Sequence, residues 1–187
     1  MHRLRDEVDG ILVGIGTIMA DNPELTARLN GRKGKDPVRI VVDSKLRIMP
    51  QSKVFKPESE ASTIIATTEL APKEKIKNLE GLGAKVLIVG SKNNRVDLRE
   101  LMYELGKLEI TSLLIEGGAE INASSISSGI VDKVLFFYAP KIIGGTDALG
   151  MVGGKGVEKL YDAINLKDVR VKRLEDDILV EGYVNKG

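Results

Sequence analysis

Cysteine is absent from the 187 residues, and histidine occurs once, as His2. Without thiols there is no disulfide framework, no thiolate metal centre and no cysteine nucleophile. A lone imidazole at the start of the chain leaves no basis for a histidine zinc site or a Ser-His-Asp triad. No metal is expected, and chemistry must draw on carboxylates, lysine, arginine, hydroxyls or a borrowed cofactor. An excess of either charge is lacking too: 28 Lys and Arg stand against 27 Asp and Glu. Nucleic-acid binding draws on a strong basic excess, so no nucleic-acid partner is expected. Long apolar runs are also missing. The longest, Ile11 to Ala20, is about half a membrane span and is interrupted by Gly14 and Gly16. The first ten residues are polar and carry both charge signs, so no signal peptide is read, no membrane partner is expected and the expected location is cytoplasmic.

What is present is an α/β pattern. Hydrophobic residues make up 42% of the chain, enough to bury the core of one ordinary domain spanning 1–187. GILVGIG (10–16), VRIVVD (38–43), TIIATT (63–68), KVLIVG (85–90) and SLLIEGG (112–118) read as strands buried on both faces. Leu98, Leu101, Met102, Leu105 and Leu108 recur at helical spacing, which predicts an amphipathic helix over 97–108. A shorter helix is predicted over 73–82, with Ile76 and Leu79 inward, and a third from Asn122 to Ser128. Alternating strands and helices imply a largely parallel sheet. VRVKRL and ILVEGYV pair across Glu175-Asp176-Asp177 as a hairpin, which makes the sheet mixed, with antiparallel strands at one edge. HRLRDEVDG reads as the last turns of a helix already under way, so an upstream strand and half-helix are expected to have been lost.

Three predicted strand ends carry small or polar residues, and open parallel sheets bind ligands there. Gly14-Ile15-Gly16-Thr17 is followed by Asp21-Asn22-Pro23. It is not a dinucleotide fingerprint, because Met19 holds the third glycine position; a tight strand-to-loop turn is the equal alternative. Asp43-Ser44-Lys45-Leu46-Arg47 offers a hydroxyl and two cations, suited to the 2′-phosphate of NADP, or else forms a solvated charged turn. Glu116-Gly117-Gly118 precedes a helix start able to hold a pyrophosphate, and Glu116 itself either caps that helix or faces a ligand. Gly144-Gly145 and Gly153-Gly154-Lys155-Gly156 could be plain loops.

HRLRDEVDGILVGIGTIMADNPELTAR, VRIVVDSKLRIM, SLLIEGGAEINAS and FFYAPKIIGG, in this order, closely resemble the reductase domain of riboflavin synthesis, the RibD C-terminal domain family. The resemblance runs from Arg3 to about Gly182. It implies a dihydrofolate-reductase-like three-layer fold, a homodimer and NADPH as hydride donor. It implies a reaction that opens the ribose ring of 5-amino-6-(5-phosphoribosylamino)uracil and reduces C1′ to the ribitylamino product. By motif position, Thr17, Asp21 and Ser44 resemble cofactor contacts, and Gly118, Ala119, Glu120, Ile121, Asn122, Ala123 and Ser124 resemble the segment holding the cofactor phosphates. Arg5, Leu25, Arg28 and Glu116 resemble substrate contacts.

Family members begin this domain with a strand carrying Ser/Thr-x-Asp-Gly, and the bacterial ones carry a zinc-binding deaminase domain; neither is read in this sequence. An archaeal-type reductase acting on 2,5-diamino-6-ribosylamino-4(3H)-pyrimidinone 5′-phosphate is an alternative. A non-catalytic nucleotide-binding or scaffold fragment is the alternative from another class. Dihydrofolate reductase itself is disfavoured, since tryptophan is absent.

Overall fold

The computed structural model describes residues 1–29, 32–55, 59–145, 148 and 150–185, without the side chains of 32 and 33. Helix α1 (His2–Glu7) leads into β1 (Gly10–Gly14), after which α2 (Ile15–Asp21) starts at once. The expected strand over 10–16 is therefore two residues too long. Ile15 and Ile18 lie one helical turn apart and are both buried, so packing turns this β-branched run into a helix. A short ladder, β2 (Arg28–Leu29) with β3 (Arg32–Lys33), precedes β4 (Val38–Val42), β5 (Thr63–Thr67), α3 (Lys73–Gly81) and β6 (Lys85–Ile88). A second short ladder follows, β7 (Ser91–Lys92) with β8 (Arg95–Val96), then α4 (Leu98–Lys107), β9 (Leu113–Ile115) and α5 (Ala119–Ser127). The chain ends with β10 (Lys133–Tyr138), β11 (Leu166–Leu174) and β12 (Asp177–Val184).

The central sheet is wholly parallel, in the order β6-β5-β4-β1-β9. Its two faces carry separate cores. Ile11, Val13, Val41 and Ile65 pack with Ile15 and Ile18 of α2 and Leu79 of α3. Leu12, Ile40 and Ile64 pack with Leu98, Leu101 and Leu105 of α4 and Ile121 of α5. Helices on both faces make the three layers that the resemblance implies. The both-faces-buried pattern holds for β1, β4 and β5, including Arg39, which is buried at 2% exposure. Its Nε donates to Thr63 Oγ1 at 3.0 Å, and its other nitrogens reach Ser59 and the Ala61 carbonyl, which meets the cost of placing a cation inside. The pattern fails for 85–90, because β6 is an edge strand with Lys85 and Ile88 exposed.

The C-terminal hairpin is antiparallel, as expected, but β10, β12 and β11 form a three-stranded sheet with its own ladders. A cleft of about 720 Å³ lies between β9 and β10, both of which line it. The mixed sheet read from sequence is thus two sheets here.

Candidate active site

Two groups of expected site residues converge on one segment, where β9 ends and α5 begins. On one side stands Arg5 of α1. Its Nε donates to Glu116 Oε2 at 2.9 Å, its Nη2 to Oε1 at 2.7 Å and its Nη1 to the Thr26 carbonyl at 2.9 Å. Only a planar guanidinium can make this double contact. The two side chains are 13% and 24% exposed, so the pair is shielded yet reachable. Glu116 follows β9, which is the edge of the parallel sheet rather than a central strand. Its oxygens face Arg5, so the carboxylate is held here by a guanidinium rather than by the N–H groups of the helix start. Each oxygen still has acceptor capacity left for a further donor.

Leu25 is 3% exposed, sits in the left-handed region at φ 58° and packs its side chain in the core, leaving its backbone as the part that can meet a ligand. Arg28 is exposed, and its backbone N–H donates to His2 Nδ1 at 3.1 Å. Arg5 and Arg28 thus differ: one fork is engaged internally, the other stands in solvent.

On the other side, Thr17 and Asp21 lie one turn apart on α2. Thr17 Oγ1 accepts the Gly118 N–H at 3.1 Å. Gly117 makes this approach possible, with φ 147° and no room for a Cβ, which would fall 2.8 Å from Thr17 Oγ1. Asp21 is exposed. Helix α5 begins at Ala119, three residues before the expected Asn122, with Gly118 as its extended N-cap. The first N–H groups of a helix have no acceptor within it and favour an anion. Ile121 is buried beside Gly14 and positions the helix. Asn122 Nδ2 donates to the Met151 carbonyl at 2.9 Å, and the Gly153 N–H donates to the Ala119 carbonyl at 3.0 Å. The glycine-rich loop 153–156 is therefore no plain connection at its start, since it is pinned across the first turn of α5. Thr146, Asp147 and Leu149 of the preceding segment lie outside the described residues.

Ser44 follows β4. Its Oγ accepts the Val96 N–H at 3.0 Å, and its carbonyl accepts from Thr68 Oγ1 at 2.8 Å. Asp43, wholly buried, anchors the same turn by accepting the Ile48 N–H at 2.7 Å. Burial pushes its carboxyl up, opposed by that N–H and by Arg47, whose Nε stands 3.9 Å away. A cleft of about 910 Å³ joins these pieces, from Gly14 and Gly16 past Ser44 and Lys45 to Glu120 and Ser124 of α5. Lys92, Asn93, Asn94 and Arg95 line it too, and none of these was singled out from sequence. Their signal was there: two adjacent asparagines between Ser91-Lys92 and Arg95-Val96 mark a two-residue hairpin turn. Among the described residues no three His, Asp or Glu side chains are placed to hold a metal ion, and no helix is long and apolar enough to cross a membrane.

The sequence model of the RibD C-terminal domain matches residues 1–180. The chain belongs to the RibD C-terminal domain family. Within it, the chain is 42% identical over 188 residues to the 2,5-diamino-6-ribosylamino-4(3H)-pyrimidinone 5′-phosphate reductase of Methanothermobacter thermautotrophicus, covering 100% of this chain and 84% of that protein. It is 38% identical over 184 residues to the riboflavin biosynthesis protein RibD of Actinobacillus pleuropneumoniae, covering 98% of this chain and 48% of that protein. The chain thus spans about half the length of its RibD relatives. Among solved structures, a riboflavin biosynthesis reductase of Saccharomyces cerevisiae matches with a TM-score of 0.77 at 26% identity, over 98% of this chain and 79% of that one. RibD of Acinetobacter baumannii matches with a TM-score of 0.79 at 22% identity, over 98% of this chain and 49% of that one, a likeness of fold.

Proposed function

We propose that this chain is a riboflavin-biosynthesis reductase that uses NADPH to reduce the ribosyl C1′ of a phosphoribosylaminopyrimidine. The observation that carries the proposal is the continuity of Glu116, Gly117 and Gly118. One end of this stretch is forked to Arg5, and the other caps α5 and touches Thr17. Substrate and cofactor groups would thereby meet on adjacent residues, which is what transfer between two bound molecules demands. The cleft suits a dinucleotide: Gly14 and Gly16 line it together with Glu120, Ile121 and Ser124 of α5, and Lys45, Arg47, Lys92 and Arg95 supply cations. When bound, the cofactor would supply the hydride. Ring opening breaks C1′–O4′, C1′ gains the hydride, and O4′ leaves with a proton as a hydroxyl. The protein's part is to orient: Arg5 and Arg28 toward the ribose phosphate, Glu116 toward donors on the sugar or pyrimidine.

The substrate we favour on motif wording is 5-amino-6-(5-phosphoribosylamino)uracil. The second reading, the 2,5-diaminopyrimidinone phosphate, is favoured by the 42% identity to reductases so named. Steady-state NADPH oxidation with each pyrimidine phosphate separates them, the preferred one giving the higher kcat/KM. Calorimetry with NADPH and NADH tests the nucleotide part of the reading: a catalytically idle scaffold binds neither. A homodimer in the cytoplasm completes the proposal. Tyr138, Val171 and Ile178 of the C-terminal sheet are 46%, 67% and 45% exposed, an apolar surface suited to a second copy. Light scattering at micromolar concentration should give twice the chain mass.

A further inference from the structure

The β7–β8 hairpin carries a feature that its own fold does not explain. Asn93 and Asn94 both lie in the left-handed region, at φ 54° and 59°, and make a tight two-residue turn. That turn sets Lys92 directly opposite Arg95 in the ladder. Two like charges facing each other across a ladder destabilise it. Arg95 is relieved in part by Glu120 of α5, 3.3 Å from its Nη1, while both side chains remain largely exposed. The hairpin is also braced against the cofactor turn, because the Val96 N–H is accepted by Ser44 Oγ. Lys92 and Arg95 consequently line the same cleft as Lys45 and Arg47.

We infer that the hairpin is the arm that selects the cofactor, with Lys92 and Arg95 closing on the 2′-phosphate from across the cleft from Lys45. This rests on the nucleotide reading above and adds to it. The dianionic 2′-phosphate relieves the repulsion between the paired cations, and binding exchanges Glu120 for phosphate at Arg95. Ser44 then has two duties: it braces the hairpin through its oxygen and retains its own hydrogen for the ligand. Glu120, one of the residues implied as a cofactor contact, instead acts as the internal competitor for Arg95.

The test is a set of titrations read as affinities, with no turnover involved. NADPH, NADH, 2′,5′-ADP and 5′-AMP are titrated by calorimetry against the chain, the Lys92→Ala/Arg95→Ala variant and Glu120→Gln. Losing charge-assisted contacts should weaken NADPH and 2′,5′-ADP by about tenfold or more, with NADH and 5′-AMP unchanged. The slope of affinity against salt should become shallower for the phosphorylated pair alone. Glu120→Gln should tighten NADPH and 2′,5′-ADP relative to the unphosphorylated ligands. Lys92→Gln and Arg95→Gln, which remove the charge but keep a polar side chain, serve if the double variant fails to fold. Retention of the full NADPH preference by the hairpin variants, or equal weakening of all four ligands, overturns the inference. A chain that binds none of the four overturns the nucleotide reading beneath it, a distinct outcome.

Discussion

Arg5 and Glu116 hold each other in a double hydrogen bond of 2.7 and 2.9 Å, so neither can be altered without leaving the other short of a partner. Glu116→Gln keeps the shape, removes the charge and turns one acceptor into a donor facing Arg5. We expect a stability loss of about 1–2 kcal/mol, NADPH affinity within twofold, and pyrimidine-phosphate affinity lowered at least tenfold by titration. Loss of cofactor binding together with stability would show instead that Glu116 only supports the start of α5. Asp9 offers a residue-scale test of the fold. Its Oδ2 accepts from the backbone and hydroxyl groups of Thr111 and Ser112 at 2.9 to 3.1 Å, tying the entry of β1 to that of β9. The Ser112 and Thr111 hydroxyls, then their N–H groups, hold its pKa at about 2, below the ordinary 3.8. A depressed carboxylate stabilises the folded state above its unfolded pKa and loses that contribution as pH falls. The Asp9 share should therefore be complete above about pH 4 and vanish by about pH 2. Thermal melts of the parent and Asp9→Asn should converge across that window, and a constant gap between them would count against the assignment.

At the scale of elements, the C-terminal sheet is locked by a carboxylate on its middle strand. Glu181 of β12 reaches Lys172 of β11 at 3.0 Å and Lys133 of β10 at 3.2 Å. The hydrogen bonds from Lys172 and Lys133 hold its pKa below the ordinary 4.5, so its contribution is present above that value and lost as pH falls. Glu181→Gln should lower the melting temperature at pH 7 and make progressively less difference as the pH falls below 4.5; an equal deficit throughout would place its role in packing. This sheet also marks where sequence reading stops. The strands and the hairpin were legible because period-2 and β-branched patterns are local, as were α3 and α4, whose inward aliphatic residues repeat at helical spacing. The start of α2 was not, because Ile15-Gly16-Thr17-Ile18 has a strand's composition and becomes helical only by burying two isoleucines. The pairing of β10 with β12 rather than with the parallel sheet is a long-range choice that no window of residues encodes. At the site, glycine and carboxylate positions could be found from motif order. The Arg5–Glu116 fork joins residues 111 positions apart, and the hairpin's role depends on which loop it leans against.

For the whole molecule, the cleft between β9 and β10 means that no ladder connects the two sheets among the described residues. Each strand offers one edge to a neighbour and leaves the other toward the cleft. Backbone ladders and the cores on both faces of the parallel sheet make that half resist opening as a unit, while β10, β11 and β12 share neither. Native-state hydrogen exchange should therefore resolve two cooperative units. Amides of β4 and β5 should exchange only through global unfolding, and those of β10 and β12 through a cheaper opening with a smaller denaturant dependence. Coincident exchange free energies for both sheets would mean that α5 and the loop pinned across it weld them together. Because α5 lines the proposed cofactor cleft and also holds the loop that leads to the C-terminal sheet, a ligand gripping α5 would raise the cost of separating the halves. Affinity for a nucleotide in that cleft and the persistence of the C-terminal sheet would then be linked quantities, each measurable through the other.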